Sequence, residues 1–284
     1  ITMSQNKVKI AVMPMAGIGT RFFPISRLIP KEFLPVGFKP MIHYIAEEAI
    51  LAGVEKIIFV VSPYKEKFFN YYLKSYFSED KELLRSLEKE KKNETIKTLQ
   101  NIPKPKIEVV IQPKPLGTGD AILRAESKVK DEPFLVLFGD DISSYPKEGP
   151  MAVQLVKKYQ EVKAPLLCLY KKPKKELYAY GVPKVVKCRG EKDLYKIVDI
   201  VEKPTEKPPS NFALVGKYIL TPSVFNYLKK LRKKNEEIPL TDAFKLMIKD
   251  RRDIFGLAVK GKWIECGTKE KWLDTFKDKN LYAN

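Results

Sequence analysis

The chain has one histidine, His43, and three cysteines with no C-x-x-C spacing. Serine–histidine and cysteine–histidine catalysis needs imidazole beside a nucleophile, and histidine-based zinc sites usually need more than one. His43 falls in residues 41–50, whose apolar spacing predicts an amphipathic helix, so the chemistry must largely do without it. Cys168, Cys188 and Cys266 form neither a disulfide framework nor a zinc knuckle, which favours a reducing, cytoplasmic compartment. Cys168, within Pro165-Leu166-Leu167-Cys168-Leu169, reads as a small core residue. No apolar run approaches the roughly 20 residues of a membrane-spanning helix, and the first ten residues lack the apolar stretch of a secretory leader. No membrane partner is expected. Arginine is scarce too: of 53 cationic residues eight are Arg and 45 Lys. The net charge of +18 invites a nucleic-acid reading. Arg, however, is the residue suited to forked recognition of phosphate and guanine, and the lysines are spread along the chain, many with acidic neighbours. No nucleic acid is expected as partner; such a field favours small anionic substrates.

The 284 residues, 44% hydrophobic, suffice for one large α/β domain or two closely packed lobes. Short β-rich apolar runs at 7–14, 55–62, 106–112 and 133–139 alternate with helical patterns at 40–52, 64–76 and 118–129. That alternation predicts βαβ units and a mostly parallel sheet covered on both faces. Past a loop at 142–150 the pattern gives strands at 164–170, 181–187, 196–202, 211–220 and 254–260, with helices at 222–232, 241–250 and 269–278. Between 79 and 102 the chain is dense in Lys and Glu, with Leu83, Leu84, Leu87, Ile96 and Leu99 at helical spacing. It reads as an exposed helical insertion, within about 65–104, carrying one apolar stripe.

After the first expected strand comes Ala16-Gly17-Ile18-Gly19-Thr20-Arg21-Phe22-Phe23-Pro24. Phe22 occupies the third glycine position of a dinucleotide fingerprint, and no G-K-[ST] follows at P-loop spacing. What remains is a loop whose backbone N–H groups could approach phosphate, with an arginine beside them. Taken alone, G-x-G reads first as an ordinary strand-to-helix turn. Asp140-Asp141 alone reads as a turn or helix cap, Glu202-Lys203-Pro204 as a strand end with a surface ion pair, and Gly181 as a bulge or turn.

Together with Pro30-Lys31-Glu32-Phe33-Leu34-Pro35 and Lys39-Pro40, these stretches compose G-x-G-T-R-x-x-P…P-K-E-x-L-P…K-P. The chain continues through Gln112, Gly117-Thr118-Gly119-Asp120-Ala121, Leu137-Phe138-Gly139-Asp140-Asp141-Ile142, Tyr180-Gly181-Val182, Val201-Glu202-Lys203-Pro204, Pro209–Leu220 and Lys260–Gly267. In that order and spacing it resembles the sugar-phosphate nucleotidyltransferases, and among them the bacterial-type UTP–glucose-1-phosphate uridylyltransferases. The resemblance implies a Rossmann-like α/β fold with a mostly parallel or mixed central sheet flanked by helices and a smaller sugar-binding lobe. It implies residues 1–145 as a nucleotide-binding half and 146–284 as a sugar-phosphate-binding half. It implies Mg²⁺-dependent transfer from UTP to glucose 1-phosphate, and a homo-oligomer, dimer or tetramer. Carried over residue by residue, Ala16, Gly17 and Gly19 would hold the nucleotide, with Thr20 and Arg21 at its phosphates. Lys31 would neutralise phosphate charge near the reaction centre, and Gln112 and Gly117 would face the pyrimidine. Asp140 and Glu265 would bind the metal, Glu202 would accept sugar hydroxyls, Lys203 would contact the sugar phosphate, and Gly181 and Asn211 would line the sugar pocket.

Three positions depart from the family pattern. Glu265 stands where Asp is usual, which moves the carboxylate by about 1.5 Å, one C–C bond. Lys217 stands where Arg is common, and Gly119-Asp120 replaces Gly-His beside the base-binding stretch. Thymidylyl transfer, and a poorly active regulatory paralogue, therefore stay open beside uridylyl transfer.

Overall fold

The computed structural model describes residues 7–77, 81–100, 104–233 and 235–277. The outermost parts of both expected halves, parts of the 79–102 insertion and the side chain of Leu99 lie outside the described residues. Nine strands form one sheet: β1 Ile10–Pro14, β2 Lys56–Val61, β3 Lys106–Ile111, β4 Phe134–Leu137, β5 Leu166–Lys171, β6 Gly181–Lys187, β7 Leu194–Glu202, β8 Phe212–Leu220 and β9 Phe255–Ala258. Their order is β3-β2-β1-β4-β8-β5-β9-β7-β6. The first four run parallel, as the expected βαβ pattern requires. β8 enters antiparallel between β4 and β5, and β7 and β6 close the far edge as an antiparallel pair. The sheet is therefore mixed.

Each central strand divides its side chains between two apolar layers, as a period of two demands. Ala11, Met13, Leu135 and Leu137 face one side, with Ile45 and Ala49 of helix Met41–Leu51. Ile10, Val12, Phe134 and Val136 face the other, with Ile122, Phe225 and Phe244 from helices Gly117–Arg124, Ser223–Leu231 and Leu240–Lys249. Proline punctuates the helices. Pro40, Pro150, Pro222 and Pro239 immediately precede helices, where the missing N–H costs nothing.

The observed elements differ from the expected ones in several places, among them the strand Asp141–Ser143 at the start of the expected loop and its partner Trp263–Glu265. Helix Met151–Val162 lies at the end of the expected loop and beyond it; Met151, Ala152, Leu155 and Tyr159 are its buried face. The expected helix at 118–129 divides at Ala125 into Gly117–Arg124 and Glu126–Val129. The insertion holds two helices, Lys81–Lys89 and Asn93–Gln100, and Leu83 is exposed.

Candidate active site

In an open α/β sheet, ligands bind beyond the carboxyl ends of strands, where successive strands diverge to opposite sides. Here that point lies between β1 and β4, because β2 and β3 extend the sheet on one side of β1 and β4 on the other. Two adjoining cavities of about 370 and 340 Å³ open there, sharing Pro14, Gly17, Gly19, Thr20 and Thr118. The loop after β1 leaves the sheet with Met15 still donating to the Val60 carbonyl at 2.8 Å. It reverses at Gly19, whose φ of 76° lies in the left-handed region, and enters the short 3₁₀ turn Thr20–Phe22.

Nine of the expected residues line these cavities. Gly17, Gly19, Thr20, Arg21, Lys31 and Asp140 line the larger; Ala16, Gln112 and Gly117 line the smaller. Lys31 reaches the site because its neighbour is anchored inward. Glu32 is buried, both of its carboxylate oxygens accept from Lys65 Nζ at 2.8 Å, and Lys65 also donates to the Met15 carbonyl at 2.8 Å. That pair ties the Pro-Lys-Glu turn to the loop after β1. Lys31 Nζ meets Asp140 Oδ2 at 2.5 Å. Burial opposes the charge on Lys31, but the Asp140 and Glu32 carboxylates outweigh it and hold its pKa above the ordinary lysine value. Burial likewise pushes against Asp140, and the Lys31 charge and hydrogen bond reverse the balance, holding the carboxyl below its usual range with help from Arg21. Asp140 therefore faces the cavity ionised.

Gln112, directly after β3, is buried, and its Nε2 donates to the Gly117 carbonyl at 3.1 Å and to Asp120 Oδ2 at 2.9 Å. Gly117 opens its helix at φ 84°, and a Cβ there would stand 2.9 Å from the Ile238 carbonyl oxygen. Only glycine fits that crossing of chains.

The remaining expected residues line neither cavity. Glu265 ends the strand Trp263–Glu265, which pairs antiparallel with Asp141–Ser143, and the Cys266 N–H donates to the Asp140 carbonyl at 2.8 Å. This pairing brings the two expected metal carboxylates to one place. A Cβ on Gly267 would lie 3.3 Å from Asp140 Oδ2, 3.8 Å from Glu265 Oε1 and 3.9 Å from Arg21 Nη1. Lys271 Nζ holds Glu265 Oε2 at 2.6 Å, and Tyr180 donates its hydroxyl to the same oxygen. Both groups are hard oxygen donors, and among the described residues no cage of three or more His, Cys, Asp or Glu occurs. Two carboxylates beside a phosphate cleft fit a magnesium-like cation, which takes one or two carboxylates and completes its shell with water and substrate phosphate.

Gly181 and Glu202 are register partners on β6 and β7, and a Cβ on Gly181 would lie 3.0 Å from Glu202 Oε2. Burial raises the Glu202 pKa against the opposing charges of Lys203 and Lys245. Lys203 adopts φ 45°, and its N–H donates to the Tyr180 carbonyl at 3.0 Å. Asn211 is exposed at the head of β8, its carbonyl accepting from Lys172 N at 3.0 Å. Tyr180 thus joins the Glu202–Lys203 edge to Glu265.

Several residues at the site have roles that the sequence analysis did not assign. Glu32 stood in the Pro-Lys-Glu motif with no role assigned, and Lys65 in no motif; they form the buried pair that aims Lys31. Asp141 accepts from the Gly216 N–H at 2.9 Å and from Trp263 Nε1 at 2.8 Å; burial and the Asp140 charge push its pKa to about 7. Lys217 lies outside both cavities, fully buried and paired with Glu48 at 2.7 Å. Thr118, quoted in a motif without an assigned role, lines both cavities.

Residues 10–280 match the family model described as Nucleotidyl transferase. A protein named UTP–glucose-1-phosphate uridylyltransferase 2, from Streptococcus pyogenes serotype M3, is 34% identical over 277 residues, covering 96% of this chain and 90% of that protein. A solved structure of a UDP-glucose pyrophosphorylase complexed with UDP-glucose is similar at TM-score 0.82 and 34% identity, covering 95% of this chain and 97% of that one. A UTP-bound UGPase from Acinetobacter baumannii is similar at TM-score 0.84 and 31% identity, over 97% of this chain and 96% of that one.

Proposed function

The chain belongs to the nucleotidyl transferase family, and from that membership we propose that it is a UTP–glucose-1-phosphate uridylyltransferase, transferring the uridylyl group of UTP to α-D-glucose 1-phosphate. The observation that carries this reading is the meeting of Arg21, Lys31 and Asp140 at the mouth of the β1–β4 crevice, beside the glycine loop. A sugar phosphate has a second pKa near ~6 and is largely dianionic at neutral pH. It needs no general base, which suits a site whose lining includes no histidine. One of its oxygens attacks the α-phosphorus in line; the bond to the bridging oxygen breaks, and pyrophosphate leaves with the electron pair. The work of the protein is to bring two polyanions together and stabilise charge on the leaving group.

In this reading the Ala16–Thr20 loop and Arg21 cradle the triphosphate, Lys31 faces the transferring phosphoryl group, and Gln112 and Gly117 meet the base. Glu202, Gly181 and Asn211 take the sugar, and Lys203 its phosphate. Residues 1–145 thus serve the nucleotide and 146–284 the sugar phosphate. Asp140 and Glu265 would hold Mg²⁺, which when bound neutralises phosphate charge. The same reading places the enzyme in the cytoplasm as a dimer or tetramer, measurable by light scattering.

A direct test supplies UTP carrying a chiral α-thiophosphate, with glucose 1-phosphate and Mg²⁺. A single displacement yields the α-thio analogue of UDP-glucose, inverted at the transferred phosphorus, with one pyrophosphate per turnover; retention would overturn the direct attack. A regulatory paralogue is the second reading, favoured by the hold of Lys271 and Tyr180 on Glu265. Glu265→Asp decides between them: a large gain in rate supports the paralogue, and a loss supports a site tuned to Glu.

A further inference from the structure

Asp120 is 1% exposed, on the first turn of helix Gly117–Arg124. Its Oδ2 accepts from Gln112 Nε2 at 2.9 Å and from Arg124 Nε at 3.3 Å. Its other oxygen, Oδ1, is buried and has no hydrogen-bond partner among the described residues. An unpaired buried oxygen costs stability that an apolar residue would not, so packing alone does not account for an aspartate here.

The effect falls on Gln112. An amide nitrogen has two hydrogens, and Gln112 directs them to Asp120 Oδ2 and the Gly117 carbonyl. Both partners only accept, so the amide fits one way round. With both amide hydrogens committed, Oε1 is the group that Gln112 has to offer a base in the cavity it lines.

We propose that Asp120 is a positioning residue for nucleotide choice: it locks the Gln112 amide so that the pocket offers an acceptor to the base, selecting uridine or thymidine nucleotides over cytidine. The inference rests on the uridylyl-transfer reading above. Uracil and thymine carry a hydrogen on ring N3 with a carbonyl beside it; cytosine has a bare N3 beside an amino group. Against Oε1 a bare N3 sets lone pair against lone pair. The first N–H groups of the Gly117–Arg124 helix have no acceptor within that helix. The Gly119 N–H is taken by the Ile238 carbonyl at 2.8 Å, which leaves Gly117 and Thr118 to supply a donor suited to a carbonyl and mismatched to an amino group.

Asp120→Asn is nearly isosteric, and its amide can donate as well as accept, which leaves the longer bond to the Gly117 carbonyl as the one contact that still fixes the Gln112 amide. On the full chain, kcat/KM is measured for UTP, dTTP and CTP, together with calorimetric binding of UTP and CTP. The wild-type preference for UTP over CTP should fall about tenfold or more in Asp120→Asn. The UTP-to-dTTP ratio should not move, since the two bases share that edge. Asp120→Ser, which also removes the charge, should behave alike. An equal loss for UTP and CTP, with their ratio unchanged, overturns the proposal and leaves Asp120 a purely structural residue. If the wild-type protein turns over no nucleotide, the uridylyl-transfer reading fails, and the ratio of the two binding constants still judges Asp120.

Discussion

Lys31 and Glu32 are adjacent in sequence and go opposite ways, one to the cleft and one into the core, where Lys65 receives it. A mobile lysine could serve phosphate only by losing side-chain freedom at each turnover; a lysine fixed on Asp140 has already lost it. Lys31→Ala is expected to lower kcat about 10²-fold or more, the scale for removing one preorganised electrostatic group, as read from initial rates of pyrophosphate release. Near-normal turnover would remove Lys31 from the chemistry. Lys217 answers to stability instead. Lys217→Met leaves Glu48 buried without its cation and should cost about 3–5 kcal/mol in urea unfolding. Adding Glu48→Leu should recover only part, because Ser143 Oγ and the Ala152 N–H, each 2.8 Å from Glu48 Oε1, lose their acceptor. The buried pairs Glu32–Lys65 and Glu48–Lys217 were not legible in the sequence, where Lys and Glu read as surface residues unless a partner is in view.

At the scale of elements, the parallel strands were legible because strands buried on both faces appear as continuous apolar runs, as in Ile57-Ile58-Phe59-Val60-Val61. The pairing of Asp141–Ser143 with Trp263–Glu265 was not, since three residues carry no period and their partner lies far along the chain. Yet that pairing brings Glu265 to Asp140. Strand order was equally hidden: no local pattern announces that β8 enters between β4 and β5. The Gln112–Gly117 turn depends on a tight crossing with the Ile238 backbone, so Gly117→Ala should weaken UTP binding at least about tenfold with little change in kcat, measured as KM. Between β2 and β3, Glu108 sits among Lys56 at 3.0 Å and Lys128 at 3.1 Å. The hydrogen bond from Lys56 leads in lowering its carboxyl from 4.5 to about 2, with Lys128 adding to it against burial. A carboxyl depressed on folding stabilises above its unfolded pKa and loses that contribution as pH falls toward its folded pKa. Glu108→Gln should therefore cost about 1–2 kcal/mol at pH 7, the gap narrowing below pH 4.5 in urea titrations at successive pH values.

Across the whole molecule, one sheet carries both the glycine loop at the end of β1 and the Gly181–Glu202 pair at the far edge, so the two substrates proposed above would be held on a single frame. Among the described residues no helix is long and apolar enough to cross a membrane. The chain carries a net charge of +18 and its cleft is lined by Arg21 and Lys31, a balance that favours small polyanions. The family was legible in the sequence because its motifs are the loops at strand ends, and those loops are what the sheet assembles at the β1–β4 divergence. The most direct measurement is pyrophosphate release with Mg²⁺ and glucose 1-phosphate, supplying UTP, dTTP, CTP, ATP and GTP one at a time. The account predicts turnover dominated by UTP and nearly absent with CTP. Silence with UTP in folded protein that still binds it, or a preference for a purine nucleotide, would contradict it.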